Sequence, residues 1–402
     1  MFISDSFLLN NATANRLYHE VAAPLPIIDY HNHLDARALA TDAGFTDITA
    51  LWIASDPYKH RAMRILGVPE AEITGPADAR TKFQRWAESV PQLVGNPLYD
   101  WAALELLRFF DITEPLTPAS ADRIWAACNE KLRSPEFTAR GLLRRANVEV
   151  ACTSDNLDDD LSAHAALASS DFPTRVIPSL RDAARVDAGR FDAFAQLGCP
   201  IADHAVSDPA QLPALAEVAA EYARRGWTMQ IHLGALRETS SRLRRLAGPA
   251  GGYAGIAPGF DLVAVARFLD SLEKNSALPR TILFPLNPVD YAATATLTGS
   301  FAEDGMPGKV QLGPAWWWND HRLGMRHHLD VLSSYGALST FIGMTTDSRS
   351  FLSTVRHEYF RRILCDWIGE QVEAGRFPAD EALLTSLVRK LCYQNAKDFL
   401  KL

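Results

Sequence analysis

Eight short runs of apolar residues recur along the chain, and polar residues close each of them. They are Pro26–Tyr30, Val148–Thr153, Arg175–Leu180, Pro200–Ala205, Thr228–Leu233, Thr281–Leu286, Val310–Pro314 and Phe341–Thr345. Most are separated by segments in which apolar residues return with helical spacing, as in DLVAVARFLDSLEKN before the sixth run. Alternation of strands with helices is typical of a parallel sheet. Eight such units over this length predict an α/β fold, a (β/α)8 barrel of the TIM type.

The competing architecture is an open, doubly wound parallel sheet. Such sheets usually have fewer strands and a glycine-rich turn that binds phosphate. The sequence contains neither a G-x-G-x-x-G motif nor a P-loop motif, and this favours the closed barrel.

One connection is much longer than the others. No strand is evident in residues 35–147, which carry helical patterns such as TKFQRWAESV and WAALELLRFF. We interpret this segment as a helical insertion after strand 1 that packs over the mouth of the barrel. Residues from Ser350 onward also predict helices. Because the chain has no internal repeats and no flexible linker, we expect residues 1–402 to form a single barrel domain that contains the insertion.

Composition and charge disfavour several classes of protein. The chain has 402 residues, of which 48% are hydrophobic and 22% are charged, as is ordinary for a globular protein. Its net charge of -8 disfavours nucleic acid and anionic membranes as partners, because both would repel it. No apolar run approaches the roughly 20 residues that cross a bilayer, and the N-terminus does not resemble a secretion signal, so we expect a cytoplasmic protein. The five cysteines are scattered, which predicts buried free thiols.

Side chains that can bind a metal ion follow the first and last predicted strands. Barrel enzymes keep their chemistry at the carboxyl ends of the strands. His31 and His33 stand at the end of the first strand, and residues i and i+2 of a strand point to the same face. Asp347 follows the eighth strand, which neighbours the first in a closed barrel. We therefore predict that His31, His33 and Asp347 share one divalent ion, while His232, after the fifth strand, either approaches this ion or bonds to the substrate.

Three arginines are predicted at the same rim of the barrel. Arg181, Arg237 and Arg349 each follow a strand, and together they indicate an anionic substrate held by bidentate contacts. Other polar groups are interpreted as structural, and the three tryptophans at 316–318 either stack on a sugar ring or pack in the core. The groups interpreted as structural are His164, the pair His327–His328 and the run Asp158–Asp160.

The chain resembles the uronate isomerase family of the amidohydrolase superfamily over nearly its whole length. The most specific segment is GMTTDSRSFLSTVRHEYFRRIL near the C-terminus. Further matching segments are IIDYHNHLDARALA, LWIASDPYKHRAMR, GNPLYDWAALEL, VACTSDNLDDDL, VIPSLR, CPIADHA, QIHLGALR, ILFPLNP and WWWNDH. The resemblance implies a metal-dependent, hydrolase-like barrel that interconverts D-glucuronate with D-fructuronate, and D-galacturonate with D-tagaturonate.

The resemblance also implies a role for individual residues. The metal ligands fall on His31, His33 and Asp347, and one divalent ion, zinc, is the expected cofactor. The tyrosine of the family's Asp-x-Tyr-Lys motif falls on Tyr58. We hypothesise that Asp347 is the base, because a carboxylate beside a cation stays ionised at neutral pH, and that Tyr58 is a second catalytic group that exchanges a proton with a substrate hydroxyl. The positions implied to bind the sugar are Arg181, Asp203, His232, Arg237 and Arg349.

Several positions depart from the pattern of the family. Glu238-Thr239-Ser240 stands in place of a run of asparagines, His60 in place of a tryptophan, and Asn32 in place of a cysteine. The segment between Arg181 and Asp203 is shorter than usual. The lysine after strand four that bridges two metals elsewhere in the superfamily is absent, and Asp203-His204 stands in its place. This favours one metal ion over two.

The expected reaction moves a proton between adjacent carbons through an enediolate, with assistance from the metal ion. One alternative is a mononuclear metal hydrolase that acts on an acidic sugar lactone or amide. Another is an inactive barrel that only binds acidic sugars. The expected partners are a small-molecule uronate and further copies of the chain in a homo-oligomer, with neither nucleic acid nor membrane.

Overall fold

Nine strands are present in the computed structural model, which describes residues 2–402. They are β1 (Ile27–Asn32), β2 (Val148–Asn156), β3 (Arg175–Arg181), β4 (Ile201–Val206), β5 (Thr228–Leu233), β6 (Ala235–Leu236), β7 (Gly255–Ile256), β8 (Thr281–Pro285) and β9 (Val310–Leu312). Seven form one sheet in the order β1-β2-β3-β4-β5-β8-β9. All neighbours in this sheet are parallel, whereas β6 and β7 form a separate antiparallel pair. The prediction of a parallel α/β sheet is confirmed for seven of the eight apolar runs.

The strands are buried on both faces, which explains why they read as continuous apolar runs rather than as alternating patterns. Every residue of β1, β5 and β8 is buried. Side chains such as Ile231 and Leu283 pack against helices on one face of the sheet. The opposite face carries polar residues of β1, β4 and β5, which are described below.

Helices fill most of the connections between strands. The α-helices are α1 (Ala12–Arg16), α2 (Ala36–Thr41), α3 (Ile48–Trp52), α4 (Pro57–Ile65), α5 (Ala79–Ser89), α6 (Pro97–Phe110), α7 (Ala121–Lys131), α8 (Ala139–Arg145), α9 (Ser162–Ala168), α10 (Ala188–Gln196), α11 (Ala216–Arg225), α12 (Ser241–Ala247), α13 (Leu262–Lys274), α14 (Tyr291–Ser300), α15 (Arg322–Tyr335), α16 (Val355–Glu373), α17 (Glu381–Arg389) and α18 (Asn395–Leu400). Short 3-10 helices lie at Glu70–Glu72, Val90–Leu93, Pro135–Phe137, Pro209–Leu215, Pro288–Asp290, Trp317–Asn319, Leu338–Thr340 and Phe351–Thr354, and π-helical turns at Leu17–Ala22 and Lys390–Gln394. Within residues 2–402, none of the helices has the length and apolarity that a membrane span requires.

Polar residues begin many of these helices. Asn96 accepts a hydrogen bond from the Leu98 backbone amide ahead of α6, and Asp261 accepts from two backbone amides at the start of α13. Such caps satisfy amides that have no partner inside the helix. These caps therefore help to fix the residues at which α6 and α13 begin.

The long connection between β1 and β2 is helical. It contains α2 to α8 and, within the described chain, no strand between positions 33 and 147. Its large side chains, including Trp52, Phe83 and Trp86, are fully buried and belong to the same apolar core as Tyr30 of β1. This core therefore runs from the helical segment to the sheet without interruption.

The eighth predicted strand, Phe341–Thr345, is not a β-strand. The segment lies beside β1, but side chains replace the usual ladder of backbone hydrogen bonds. The His31 amide donates to Thr345 Oγ1 over 2.8 Å, and Asp29 accepts from the backbone amide and the hydroxyl of Thr346 over 2.8 and 2.6 Å. Gly343 has a φ of +93°, which interrupts an extended conformation.

Replacing Gly343 by alanine is expected to lower the free energy of unfolding by about 3 kcal/mol. A Cβ at this position would lie 2.3 Å from the carbonyl oxygen of Leu391, and the left-handed φ is strained for any side chain. The shift of the urea unfolding midpoint measures the effect. Gly44→Ala is the control, because a Cβ there has nothing within 4 Å. Equal midpoints for the two variants would contradict this account of the segment.

Candidate active site

The polar side chains at the carboxyl ends of the strands surround one cavity of about 350 Å³. Eight of the nine residues predicted for the site line it, and the ninth, Tyr58, lines an adjoining cavity of about 100 Å³. The two cavities share six lining residues, which are Arg237, Pro249, Ala250, Trp317, Asp347 and Arg349. The lining of the larger cavity is His31, His33, Arg181, Asp182, Asp203, Ala205, His232, Arg237, Glu238, Arg244, Pro249, Ala250, Trp316, Trp317, Asp347 and Arg349.

Two histidines converge on one carboxylate oxygen at the floor of this cavity. His31 Nε2 lies 3.4 Å and His33 Nε2 lies 3.0 Å from Asp347 Oδ1. The backbone brings the three together, because the Asp347 amide donates to the His31 carbonyl and the His33 amide donates to the Ser348 carbonyl. Residues from the two ends of the chain thus face a common point.

Burial and mutual charge set the protonation of these groups in the absence of an ion. Burial alone would raise the pKa of Asp347, but hydrogen bonds with His31 and His33 outweigh it and hold this pKa well below its usual range. Burial alone would lower the pKa of His31, but the carboxylates of Asp203 and Asp347 raise it to about 8. Burial lowers the pKa of His33. Asp347 is therefore ionised at neutral pH.

The donor set suits a divalent metal ion. One ligand atom each from His31, His33 and Asp347 lies within 4.8 Å of the others, and the same holds for His31, Asp203 and His232. The two groups share His31, whose Nδ1 is buried with no hydrogen-bond partner among residues 2–402 and lies 3.9 Å from Asp203 Oδ1. Two imidazoles and a carboxylate are ligands that zinc and related ions accept.

Tyr58 stands at the start of α4 with its phenol turned into the protein interior. Its hydroxyl is buried and has no hydrogen-bond partner within the part of the chain that the structure describes. Its ring meets Trp318 and Trp101 edge to face, with centroid separations of 5.4 and 6.1 Å. Burial raises the pKa of Tyr58, so the phenol is protonated at neutral pH.

The three predicted arginines all border the cavity. Arg237 stacks on Trp317, with its guanidinium carbon 4.9 Å from the ring centroid, and burial lowers its pKa. Arg181 ends β3 and approaches Asp182 over 3.7 Å. Arg349 follows Asp347 by two residues and borders both cavities. The wall therefore offers several guanidinium groups to an anion.

His232 and Asp203 complete the floor. The His232 ring packs on Phe284 at 4.6 Å and on His31 at 4.9 Å between centroids. Burial, with the nearby charge of His31, places the pKa of His232 well below its usual value, so the ring is neutral. Burial raises the pKa of Asp203 to about 6, and Ser154 donates a hydrogen bond to it over 3.2 Å.

Some polar residues singled out in the sequence lie elsewhere. His204 points away from the cavity and contacts the hydroxyl of Tyr222 over 3.0 Å. His164 contacts Thr153 Oγ1 over 2.8 Å, and His328 contacts the Gly313 carbonyl over 2.6 Å. These three histidines do not line the cavity.

The sequence did not single out the partner of Asp347. Trp317 Nε1 donates to Asp347 Oδ2 over 2.5 Å, and both residues have positive φ angles of +49°. Strained backbone of this kind is concentrated at functional sites. The only signal in the sequence was the cluster of tryptophans, which does not reveal which ring faces the carboxylate.

The sequence also missed the charged pair on the outer wall. Glu238 and Arg244 form an ion pair and both line the cavity. Glu238 belongs to the triplet in which the chain departs from the pattern of the family. The Glu238 carboxylate therefore lines the same cavity as the arginines, which would attract an anion.

Comparison with protein families places the chain beside enzymes that act on uronates. The family model described as glucuronate isomerase matches residues 1–208 and 209–400. The uronate isomerase of Actinobacillus succinogenes is 41% identical over 464 aligned positions, which cover 100% of this chain and 99% of the relative. That of Salmonella arizonae is 40% identical, with 99% and 98% covered. The 464 aligned positions exceed the length of this chain, so the relative contains segments that are absent here.

Solved structures of uronate isomerases have a similar fold. The uronate isomerase of Thermotoga maritima has a TM-score of 0.89 and 28% identity, with 100% of both chains covered. The glucuronate isomerase of Caulobacter crescentus has a TM-score of 0.89, with 99% of this chain and 97% of that chain covered. At 24% identity the second comparison speaks for the fold alone.

Proposed function

Because the chain belongs to the glucuronate isomerase family, we propose that its cavity binds a hexuronate and interconverts the aldose and ketose forms. The first substrate pair is D-glucuronate and D-fructuronate, and the second is D-galacturonate and D-tagaturonate. One observation carries the proposal: the two histidines and Asp347, three arginines and Tyr58 border two adjoining cavities. Isomerase activity is therefore assigned to this cavity.

We propose that one divalent ion, zinc, is held by His31, His33 and Asp347. The imidazole-rich donor set supports zinc over magnesium, which prefers oxygen ligands. His204 faces Tyr222 instead of the cavity, which supports one ion over two. Asp203 lies opposite the second nitrogen of His31, where a carboxylate fixes the tautomer of a ligating histidine.

We propose that the reaction proceeds by proton transfer through an enediolate. A bound divalent ion would polarise the substrate oxygens as a Lewis acid. Asp347 removes the proton from C2 of the aldose and delivers it to C1 of the enediolate to give the ketose. Tyr58 Oη donates a proton to the C1 oxygen and regains one from the C2 hydroxyl, so both residues end in their starting protonation states. Trp317 holds Asp347 Oδ2 by its hydrogen bond, which keeps the carboxylate oriented.

Substrate orientation is assigned to the walls of the cavity. The guanidinium groups of Arg181, Arg237 and Arg349 are proposed to hold the substrate carboxylate, since arginine matches a carboxylate in bidentate geometry. The neutral ring of His232 and the carboxyl of Asp203 are proposed to bind substrate hydroxyls.

We further propose that residues 341–348 close the sheet into a (β/α)8 barrel, with residues 35–147 inserted in a single domain. Hydrogen bonds with β1 on one side support this closure. On the other side the Ile342 amide donates to Gln311 of β9 over 2.9 Å.

The direct test is an assay of the purified protein with D-glucuronate and D-galacturonate in the presence of zinc. We expect ketose formation from both. D-glucose is the control, since it lacks the carboxylate that the arginines would hold, and its turnover is expected to be negligible. Hydrolysis of an acidic sugar lactone without any isomerisation would contradict the proposal.

Isomerisation in deuterated water tests the path of the proton. A carboxylate base that carries the proton between carbons exchanges it with solvent in part, so deuterium is expected in the product at low turnover. A product without deuterium would instead indicate a hydride shift.

The Tyr58→Phe variant is expected to lower kcat by about 10²–10³-fold with KM nearly unchanged, because the ring is kept and only the transferable proton is lost. Steady-state kinetics measure the effect. Tyr359→Phe is the matched control, since Tyr359 is a buried tyrosine whose hydroxyl bonds to Asp100 and does not line the cavity. Full activity of Tyr58→Phe would remove this residue from the reaction.

A further inference from the structure

Three charged side chains form a buried cluster beside the start of α4, next to Tyr58. It is here called the Lys59 cluster. Lys59 Nζ lies 2.5 Å from Asp56 Oδ2 and 3.5 Å from Glu105 Oε2. The side chains of Lys59 and Glu105 are 2% and 3% exposed, and that of Asp56 is 7% exposed. The cluster is therefore shielded from solvent, although it borders neither cavity of the site.

The cluster joins three helices of the segment between β1 and β2. Asp56 and Lys59 belong to the start of α4, and Glu105 belongs to α6. Glu105 also accepts a hydrogen bond from the indole of Trp52 at the end of α3. Lys59 Nζ lies 5.6 Å from the ring centroid of Trp52 and 5.9 Å from that of Trp86. The ammonium group is thus held by carboxylates and aromatic faces together.

The cluster is bonded to Tyr58 itself. Asp56 Oδ1 accepts hydrogen bonds from the backbone amides of Tyr58, over 2.9 Å, and of Lys59, over 3.1 Å. The other oxygen of the same carboxylate binds the ammonium group. The position of the Tyr58 backbone is therefore coupled to that of Lys59 through one carboxylate.

A second connection runs through α6. Trp101 and Glu105 are four residues apart on this helix and so lie on the same face. Trp101 packs edge to face against the Tyr58 ring at 6.1 Å, while Glu105 binds Lys59. The ring of Tyr58 is therefore held by α6 and its backbone by Asp56, and the Lys59 cluster links these two.

Stability alone does not explain this arrangement. Buried ion pairs lose much of their attraction to desolvation, and apolar replacements of similar size are often neutral or stabilising. A fixed geometry, in contrast, is what a proton-transferring side chain requires, because a displacement of about 1 Å costs roughly 10²-fold in rate.

We propose that the Lys59 cluster is a positioning device that holds the Tyr58 hydroxyl against the substrate. This inference rests on the proposed function of Tyr58 in proton transfer. Lys59, Asp56 and Glu105 act through Tyr58 and do not touch the substrate.

A double-mutant cycle with Tyr58→Phe tests the proposal. In the metal-loaded enzyme, Lys59→Met is expected to lower kcat about 10–100-fold with KM changed by less than about 3-fold. In the Tyr58→Phe background the same change is expected to lower kcat by less than about 3-fold, since the hydroxyl to be positioned is already gone. Glu105→Gln, which keeps an acceptor for Trp52, is expected to show the same non-additivity and serves if Lys59→Met does not fold.

Arg326→Met is the control for loss of a partly buried ion pair. Arg326 binds the buried Asp366 over 3.2 Å, and neither residue borders the cavities. This variant is expected to lower the melting temperature and leave kcat within about 3-fold of the parent. Thermal melts and metal content are measured for every variant.

The outcomes separate the two proposals. If Tyr58→Phe lowers kcat but the effect of Lys59→Met is fully additive with it, the positioning role is overturned and the role of Tyr58 stands. If Tyr58→Phe has no effect on kcat, both are overturned. If Lys59→Met leaves kcat unchanged, the positioning role alone is overturned.

Discussion

The Asp347→Asn variant is expected to lower kcat by about 10³–10⁴-fold, the upper range for loss of a general base. Asparagine fills the same space and can still accept the hydrogen bond from Trp317, but it neither takes up a proton nor supplies a negative charge. The carboxylate lies 3.0 Å from His33 and 3.4 Å from His31, so the variant also removes the negative charge that attracts both rings. Steady-state kinetics with saturating zinc separate the loss of the base from a loss of metal.

The matched control is Asp155→Asn. Asp155 lies near the end of β2, accepts a hydrogen bond from Thr153 over 2.7 Å and does not line the cavity. We expect this control to keep kcat within about 3-fold of the parent, as is usual away from the reacting groups. Near-normal turnover by Asp347→Asn, with deuterium still entering the product, would transfer the role of base to another group.

Removal of divalent ions is expected to lower activity by at least about 100-fold, because Lewis-acid polarisation of the substrate contributes several kcal/mol to the barrier. Two imidazoles and one carboxylate that face a common point would otherwise have no shared ligand. The experiment is chelation followed by dialysis, with metal content measured by mass spectrometry and activity measured before and after addition of zinc.

A second measurement does not depend on activity. An ion that binds the folded protein alone stabilises it, by about 2.7 kcal/mol at a concentration 100 times its Kd. Zinc is therefore expected to raise the melting temperature of the chelated protein. His33→Asn should abolish this rise. Full activity with less than about one ion per ten chains would contradict a metal-dependent reaction.

Most of the sheet could be predicted from sequence because strands buried on both faces are continuous apolar runs bounded by polar residues. The segment 341–345 is the exception. It is as apolar as its neighbours, but its hydrogen bonds with β1 involve the side chains of Thr345 and Asp29 and do not form a ladder of paired backbone groups. Sequence patterns report burial, and they do not report which atoms complete a hydrogen bond.

The candidate site, too, could be predicted only in part from the sequence. His31 and His33 could be predicted from strand geometry because they lie at the carboxyl end of β1. Asp347 was predicted beside them because the apolar run before it was expected to neighbour β1. Tyr58 follows only from the family resemblance, because nothing local places the start of α4 near the sheet. Trp317 was missed because its role depends on a turn with positive φ, and turns of that kind usually contain glycine. The homo-oligomer stays a prediction.

The hydrogen bonds between Asp29 and Thr346 span 317 positions of the chain. During translation at about 5–20 residues per second, the first strand waits roughly 15 to 60 s for its second neighbour to be synthesised. Throughout that interval one side of β1 is an open strand edge, which is a template for wrong pairing. The open edge exposes the emerging polypeptide to aggregation, and a ribosome that stalls before the last sixty codons releases a product that lacks Asp347, one of the three proposed metal ligands.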